Sequence, residues 1–282
     1  MSDYNNKDLI HIKNGDFECL KFRILKKYSD KITHMITLRH GGVSNGVYSS
    51  LNIRTVGKDN IKNVYKNLDI MCKNMKIKRD DVYKAKQNHT DNILILDNDN
   101  KKEYNFNNLS EECYDGYITN KSNINTLVTT ADCNPIIIYD PVNNIFANVH
   151  SGWKGTLKKI SKKAAVIMHD KFNSKFEDMI VCIGPSIRKC CFTSLEDEFK
   201  DKFVEVFHNE DEYITKDKDG KYHFDLIYVI KNDLEKLGIK EENIKVANIC
   251  TCCNEEDFYS FRKATMRNDD DYATFATIVG LI

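Results

Sequence analysis

Three residues in this 282-residue chain have the types and surroundings of metal ligands: His89 in "KQNHTDN", Cys133 in "TADCNP" and His150 in "NVHSGW". Imidazole nitrogen and thiolate sulfur suit zinc, and a catalytic zinc commonly takes three protein ligands, leaving a fourth position for water or substrate. A thiolate in the set also favours zinc or copper over magnesium. The gaps between the three match no local zinc-finger spacing, so only the fold can bring them together. The same residues admit a second chemistry, with Cys133 as nucleophile, His150 as the base that forms its thiolate, and backbone donors near Gly152 for an oxyanion. Asp132, next to Cys133, is a candidate acid or base in either scheme, set against the ordinary role of an Asp at a strand end as a turn former. Each ligand candidate also has a plainer reading, Cys as a small buried hydrophobe and His as a hydrogen-bonded core or surface residue. Arg39, before Gly41-Gly42, and Arg262, in "FYSFRKA", lie beside apolar stretches and are candidates for binding a phosphate or carboxylate. Trp153 is a candidate stacking platform, though a core anchor is the commoner use of a lone tryptophan.

The elements that must position these residues can be read from the apolar pattern. "HMITLRHGGVSNGVYSSLNI" reads as a strand, turns at Gly41-Gly42 and Asn45-Gly46, and a further extended piece. Asp59 is placed to cap a helix whose apolar face carries Ile61, Val64, Tyr65, Leu68 and Cys72. "NILIL", "NTLVTT", "NPIIIYD" and "NIFANVHSGW" are strands, so His89, Cys133 and His150 fall at or near strand ends, where loops gather sites over a sheet. A helix from about Thr156 has Leu157, Ile160, Ala164, Ile167 and Met168 inward. "DMIVCIGPSI" is a strand stopping at Gly184-Pro185, which lacks the glycines and Lys of a phosphate loop. Ser194 and Asp197 suit a capping box for a helix burying Phe199, Phe203 and Val206. "FDLIYVIKNDLEKLGI" predicts a helix, and "NIKVANIC" and "ATFATIVGLI" predict strands. Segments 97–112 and 216–221 read as surface loops, because candidate site residues lie on both sides of the first. This irregular alternation predicts an α/β protein of the α+β type, a single domain of mixed β-sheets flanked by helices.

Composition narrows the function classes. Lys plus Arg and Asp plus Glu balance at 42 each, which offers no bulk electrostatic footprint for nucleic acid or an anionic membrane. "MSDYNNKDLIHIKNGDF" lacks the basic and apolar segments of a signal peptide, and no apolar run approaches a membrane span, so a soluble, cytoplasmic location is expected. Ten cysteines in a chain of this size without an export signal are expected to be reduced. The vicinal pairs Cys190-Cys191 and Cys252-Cys253 read as packing residues.

Seven blocks together, "TLRHGGVSNGVYSSLNI", "KQNHTDNI", "YDGYITN", "TTADCNPIIIYD", "ANVHSGWKGTLKKI", "CIGPSIRKCCF" and "ICTCCNEEDFYSFRKA", resemble the laccase-domain family, also called multicopper polyphenol oxidases or purine nucleoside phosphorylases. The resemblance runs in the family's order from about residue 30, implying a variable N-terminal segment, 1–30, and one catalytic domain, 31–282. It implies that His89, Cys133 and His150 bind a common metal, zinc, with copper as the alternative. It also implies phosphorolysis of adenosine, guanosine or methylthioadenosine and deamination of adenosine. The partners would be a purine nucleoside and phosphate, with Arg39 and Arg262 for the anion and Asp132, Cys133 and His150 in the chemistry. Copper-dependent polyphenol oxidation is the family's older description. Two departures stand out. The family's Gln-Val-His-Gly is here Gln87-Asn88-His89-Thr90, which is expected to alter the turn beside the ligand. Its Thr-Gly-Arg is Thr265-Met266-Arg267, followed by an acidic "NDDD" insertion.

Overall fold

The long apolar runs become central strands, because a strand covered on both faces has no polar side to show. A computed structural model describes residues 2–106 and 111–282. Its strands are β1 Leu9–Asn14, β2 Phe17–Phe22, β3 Ile32–Thr37, β4 Val82–Tyr83, β5 Ile93–Ile95, β6 Gly116–Thr119, β7 Asn125–Thr130 and β8 Asn134–Asp140. They continue as β9 Ile145–Ser151, β10 Ile180–Ile183, β11 Thr193–Ser194, β12 Ile214–Lys216, β13 Tyr222–Phe224, β14 Ile244–Val246 and β15 Phe275–Leu281. Two large mixed sheets run in the orders β1-β2-β3-β15-β7-β4 and β14-β10-β8-β9-β6-β5, with a small third sheet β11-β13-β12. The N-terminal residues thus supply the hairpin β1–β2 at one edge of the first sheet.

The helices are α1 Ile61–Met75, α2 Trp153–Leu157, α3 Ile160–Phe172, α4 Asp197–Phe207, α5 Leu226–Glu235 and α6 Phe261–Arg267. The two large sheets face each other across one core, to which β8 and β9 contribute Ile137, Tyr139 and Phe146 and β15 contributes Phe275 and Val279. The alternate residues Ile136, Ile138 and Val149 point the other way, into a second core under α3 and α5. On the far side, Val64, Leu68 and Met71 of α1 pack on Met35, Leu127 and Ile278 of the first sheet. The resulting order of layers is helix, sheet, sheet, helices, a mixed α/β single domain. The third sheet and α4 form an aromatic-rich flank in which Phe199 and Phe203 meet Phe224. Among the described residues no helix is long and apolar enough to cross a membrane.

Several local details differ from the pattern in the sequence. Asn60, not Asp59, caps α1, accepting from Lys62 N at 3.0 Å. Asp59 is drawn instead to Ser44 Oγ and Asn52 Nδ2, at 2.7 and 2.8 Å. The helix expected from Thr156 begins at Trp153 and breaks at Lys159, whose φ of 56° is left-handed. The capping box at α4 does not form: Ser194 Oγ accepts from Glu196 N, Asp197 takes the Tyr222 hydroxyl, and Val204 and Phe207 join the core beside Phe203.

Candidate metal centre

The centre lies where the chain crosses from one large sheet to the other. Strand β7 ends at Thr130, Ala131–Cys133 make the crossing, and β8 starts at Asn134. Asp132 turns the corner with φ 85°, and its buried carboxylate accepts from Thr251 Oγ1 (2.6 Å), Ser260 Oγ (2.9 Å) and Arg262 N (2.7 Å). Those bonds tie the corner to the segment leading into α6 and present Cys133 at the sheet edge. His150, near the end of β9, is paired in register with Pro135 of β8, so strand pairing sets it beside Cys133. His89 arrives from the loop after β4. Gln87 clips that loop to β7, accepting from Thr129 N at 2.8 Å and donating to Thr129 O at 2.9 Å.

The structure brings the three expected ligands together: one donor atom from each of His89, Cys133 and His150 lies within 4.8 Å of the others, and Cys133 Sγ is 3.6 Å from His89 Nε2. Gly152 gives the group its room, since a Cβ there would sit 2.6 Å from His89 Cδ2 and 2.9 Å from Cys133 Sγ. His150 uses Nδ1 to bond Asp115 Oδ1 at 2.7 Å, which leaves Nε2 for an ion. A buried carboxylate behind a ligand histidine is the usual device for fixing the ring of a metal-bound imidazole. Asp115 is fully buried and also accepts from the backbone of His89 and from Thr90 N and Oγ1, at 3.1, 2.6 and 2.7 Å. One carboxylate therefore holds the ring of His150 and the backbone that carries His89. Thr90 needs no glycine-type backbone here; the left-handed residue is His89 itself, at φ 54°. Its hydroxyl adds a donor to Asp115 that a glycine would lack.

Charge in the cluster suits a cation. Burial pushes the Cys133 thiol up, but His150 and His89 pull it further down, to about 7. Burial pushes His150 down, and Cys133 and Asp115 lift it to about 9. A thiolate held by an imidazolium is a donor pair that can exchange its proton for a metal ion. The donor set, the cradle at Gly152 and the second carboxylate shell all fit zinc.

The three ligands open onto a cavity of about 580 Å³, in the range of small-molecule sites. Its wall includes Lys84, Lys86, Lys154, Arg54 and Arg262, together with Trp153, Phe192, Phe261 and Tyr272. Trp153 packs on Phe199 at 5.1 Å while lining this space, so it anchors and faces the cavity at once. Arg262 reaches the cavity, though its guanidinium is partly committed to Cys191 O (3.0 Å) and Thr193 Oγ1 (3.2 Å). Arg39 does not line it: its guanidinium bonds Ser49 O and Glu255 O and lies over Tyr259, on another face of the segment that precedes α6. Arg267 also lies elsewhere, paired with Glu255 and with Asp269 of the acidic insertion. The insertion's Asp271 holds Arg54 at the cavity edge and takes the Tyr48 hydroxyl at 2.6 Å.

Two residues gave no signal of their own in the sequence. Asp115 sits in the "YDGYITN" block without a motif of its own. Lys84 is one lysine among many, yet it is buried in the cavity wall, and burial pushes its ammonium down to about 8, with Asp115 opposing part of that shift. Its folded value is below the unfolded one near 10.4, so the contribution of Lys84 to stability becomes more favourable as pH climbs from about 8 to about 10. Lys84→Met is expected to raise stability at pH 7 by about 2–3 kcal/mol and to lose that advantage across the same window. Thermal melts of both proteins at pH 7 and pH 10 check this; an equal difference at both pH values contradicts it.

The fold and the centre together define a protein with a small-molecule cavity and a zinc-type donor set at its floor. Residues 33–281 match the family model described as multi-copper polyphenol oxidoreductase laccase, and the chain belongs to that family. A purine nucleoside phosphorylase of Clostridium acetobutylicum is 34% identical over 252 residues, covering 86% of this chain and 91% of that protein. A second, from Bacteroides thetaiotaomicron, is 28% identical over 255 residues, covering 90% and 94%. The crystal structure of the hypothetical protein YfiH of Bacillus licheniformis superimposes with a TM-score of 0.86 at 26% identity, covering 96% of this chain and 99% of that one.

Proposed function

We propose that the chain is a zinc-dependent purine nucleoside phosphorylase acting on adenosine, guanosine or methylthioadenosine, and that the same centre deaminates adenosine. The observation carrying this reading is the convergence of His89, Cys133 and His150 at the floor of a cavity whose walls are cationic and aromatic. The names of the curated relatives support the phosphorolytic half. His89 and His150, through their imidazole nitrogens, and Cys133, through its sulfur, would hold the ion. When bound, zinc supplies a Lewis acid able to bring water towards neutral pKa or to polarise a substrate oxygen.

The chain's own residues do the rest. Phosphorolysis needs an anion site beside the ribose. Lys84 is the best placed side chain for it, because its Nζ makes only a 3.5 Å bond to Ala85 O among the described residues. Arg262 is a second cation on the same wall, while Arg39 points away and is not part of this proposal. Phe192, Phe261 and Trp153 offer faces for the purine. Asp132 works by holding the corner at Cys133 in place, since three donors occupy its carboxylate. The location proposed is cytoplasmic.

The paired Cys133 and His150 favour one second reading, a cysteine hydrolase. Copper oxidation rests on the family description alone; among the described residues the centre gathers two imidazoles and one thiolate, with no further histidine. The test is chromatography of adenosine reactions with and without phosphate, before and after chelation. Adenine formed only with phosphate, lost on chelation and restored by zinc, supports phosphorolysis; inosine formed without phosphate supports deamination. Turnover that survives complete metal removal but stops on alkylation of Cys133 replaces this reading with the hydrolase.

A further inference from the structure

Four more cysteines meet away from the cavity floor. Cys190 and Cys191 lie in the loop between β10 and β11, and Cys250 and Cys253 form a Cys-x-x-Cys turn after β14. Their chain segments are neighbours because β10 and β14 pair in parallel and Ser186 bridges to Cys250. All four sulfurs lie within 4.8 Å of one another, with Cys190 and Cys191 Sγ 3.6 and 3.4 Å from Cys253 Sγ. A zinc ion with four thiolates about 2.3 Å away requires sulfurs about 3.8 Å apart, and Cys-x₂-Cys is the commonest way to supply two of them. The group is not simply a packed core: Cys190 and Cys253 are exposed, while Cys250 is buried. Four thiolates around a dication carry net negative charge, and the same loop supplies Arg188 and Lys189. Arg188 buries Nη1 with no acceptor among the described residues.

We propose that Cys190, Cys191, Cys250 and Cys253 form a second, structural metal site that takes one zinc ion in a closed four-thiolate shell. The site joins the loop 187–192 to the segment 250–262. Both reach the cavity: Ile187, Phe192 and Arg262 line it, and Arg262 Nη1 bonds Cys191 O. The ion thus braces one wall of the cavity without touching the substrate.

The test is metal analysis and native mass spectrometry on reduced protein, with cobalt titration as a spectroscopic readout. His89→Ala/His150→Ala protein is expected to keep one zinc per chain, and in the cobalt form to show strong thiolate-to-metal absorption of a tetrahedral site. Cys190→Ser/Cys253→Ser is expected to lose that ion and its spectrum while keeping the zinc at the cavity, so wild type holds two. A folded His89→Ala/His150→Ala protein that binds no zinc or cobalt overturns the proposal, whether or not the serine variant folds. If wild type holds a single zinc and the histidine variant retains it, this site stands and the zinc centre of the proposed function falls. A single zinc that the histidine variant loses gives the reverse result.

Discussion

His89→Ala, Cys133→Ala and His150→Ala are each expected to abolish the proposed nucleoside turnover and to remove the zinc proposed at the cavity floor. The expected loss in kcat/KM is on the order of a thousandfold or more, because the ligands act as a unit and removing any one disables the set. Stability separates the three. His89 and Cys133 sit on a loop and a corner open to the cavity, so their truncation costs under about 1 kcal/mol. His150 is buried, and its loss takes a 2.7 Å partner from Asp115 inside the fold, a cost of about 2 kcal/mol. Asp115→Asn provides the graded case: it keeps the donors in place but weakens the hold on both histidines, lowering zinc affinity about 10–100-fold. Zinc titration with a competing chelator, run beside turnover and thermal melts, reads all four variants. A Cys133→Ala protein that still binds zinc and turns over would show that the ligand set is not the one the geometry presents.

The strands were legible because their signal is local. "NPIIIYD" is apolar throughout since Ile137 and Tyr139 enter one core and Ile136 and Ile138 another, and that pattern needs no knowledge of the partners. The three ligand candidates were legible as residue types and through the resemblance to a family, while their meeting depends on the register of β8 against β9 and on Gln87 holding a loop to β7. Asp115 is the clearest loss. It precedes β6, whose Gly116 pairs with Val149, and only that pairing puts an aspartate 35 residues upstream against His150. Asp59 failed as a cap for a similar reason, since its carboxylate finds distant Ser44 and Asn52 more favourable than the first turn of α1. Arg39 had the right neighbours in sequence, but the carbonyls of Ser49 and Glu255 turn its guanidinium from the cavity. The vicinal cysteines read as packing, and Cys191 and Cys252 do join a small cluster with Ile187 and Phe192, while the parallel pairing of β10 and β14, invisible in the sequence, also brings the Cys250-x-x-Cys253 turn to Cys190 and Cys191.

Asp132→Ala is expected to cost about 3 kcal/mol of stability. Three donors from two other stretches of chain converge on this carboxylate: the Thr251 hydroxyl, the Ser260 hydroxyl and the Arg262 amide. Removal leaves them without an acceptor in a buried place, and it frees the corner that presents Cys133. Burial pushes the Asp132 carboxyl up, with the Arg262 amide and the two hydroxyls opposing that shift. Asp132→Asn then separates the two roles open to the residue. The amide can still accept from Thr251 and donate to Ser260, but it cannot accept from Arg262 N on the same side, so a clamp loses about 1–2 kcal/mol and only a modest part of kcat. A residue that moves a proton behaves in the opposite way, with kcat falling by a factor of 10² to 10⁴ at nearly unchanged stability and one limb of the pH–rate profile removed. Denaturant unfolding and a pH profile of kcat/KM on Asp132→Asn decide between them. Three occupied acceptor positions, on a carboxylate that borders the cavity but is already committed to Thr251, Ser260 and Arg262, make the clamp the expected result.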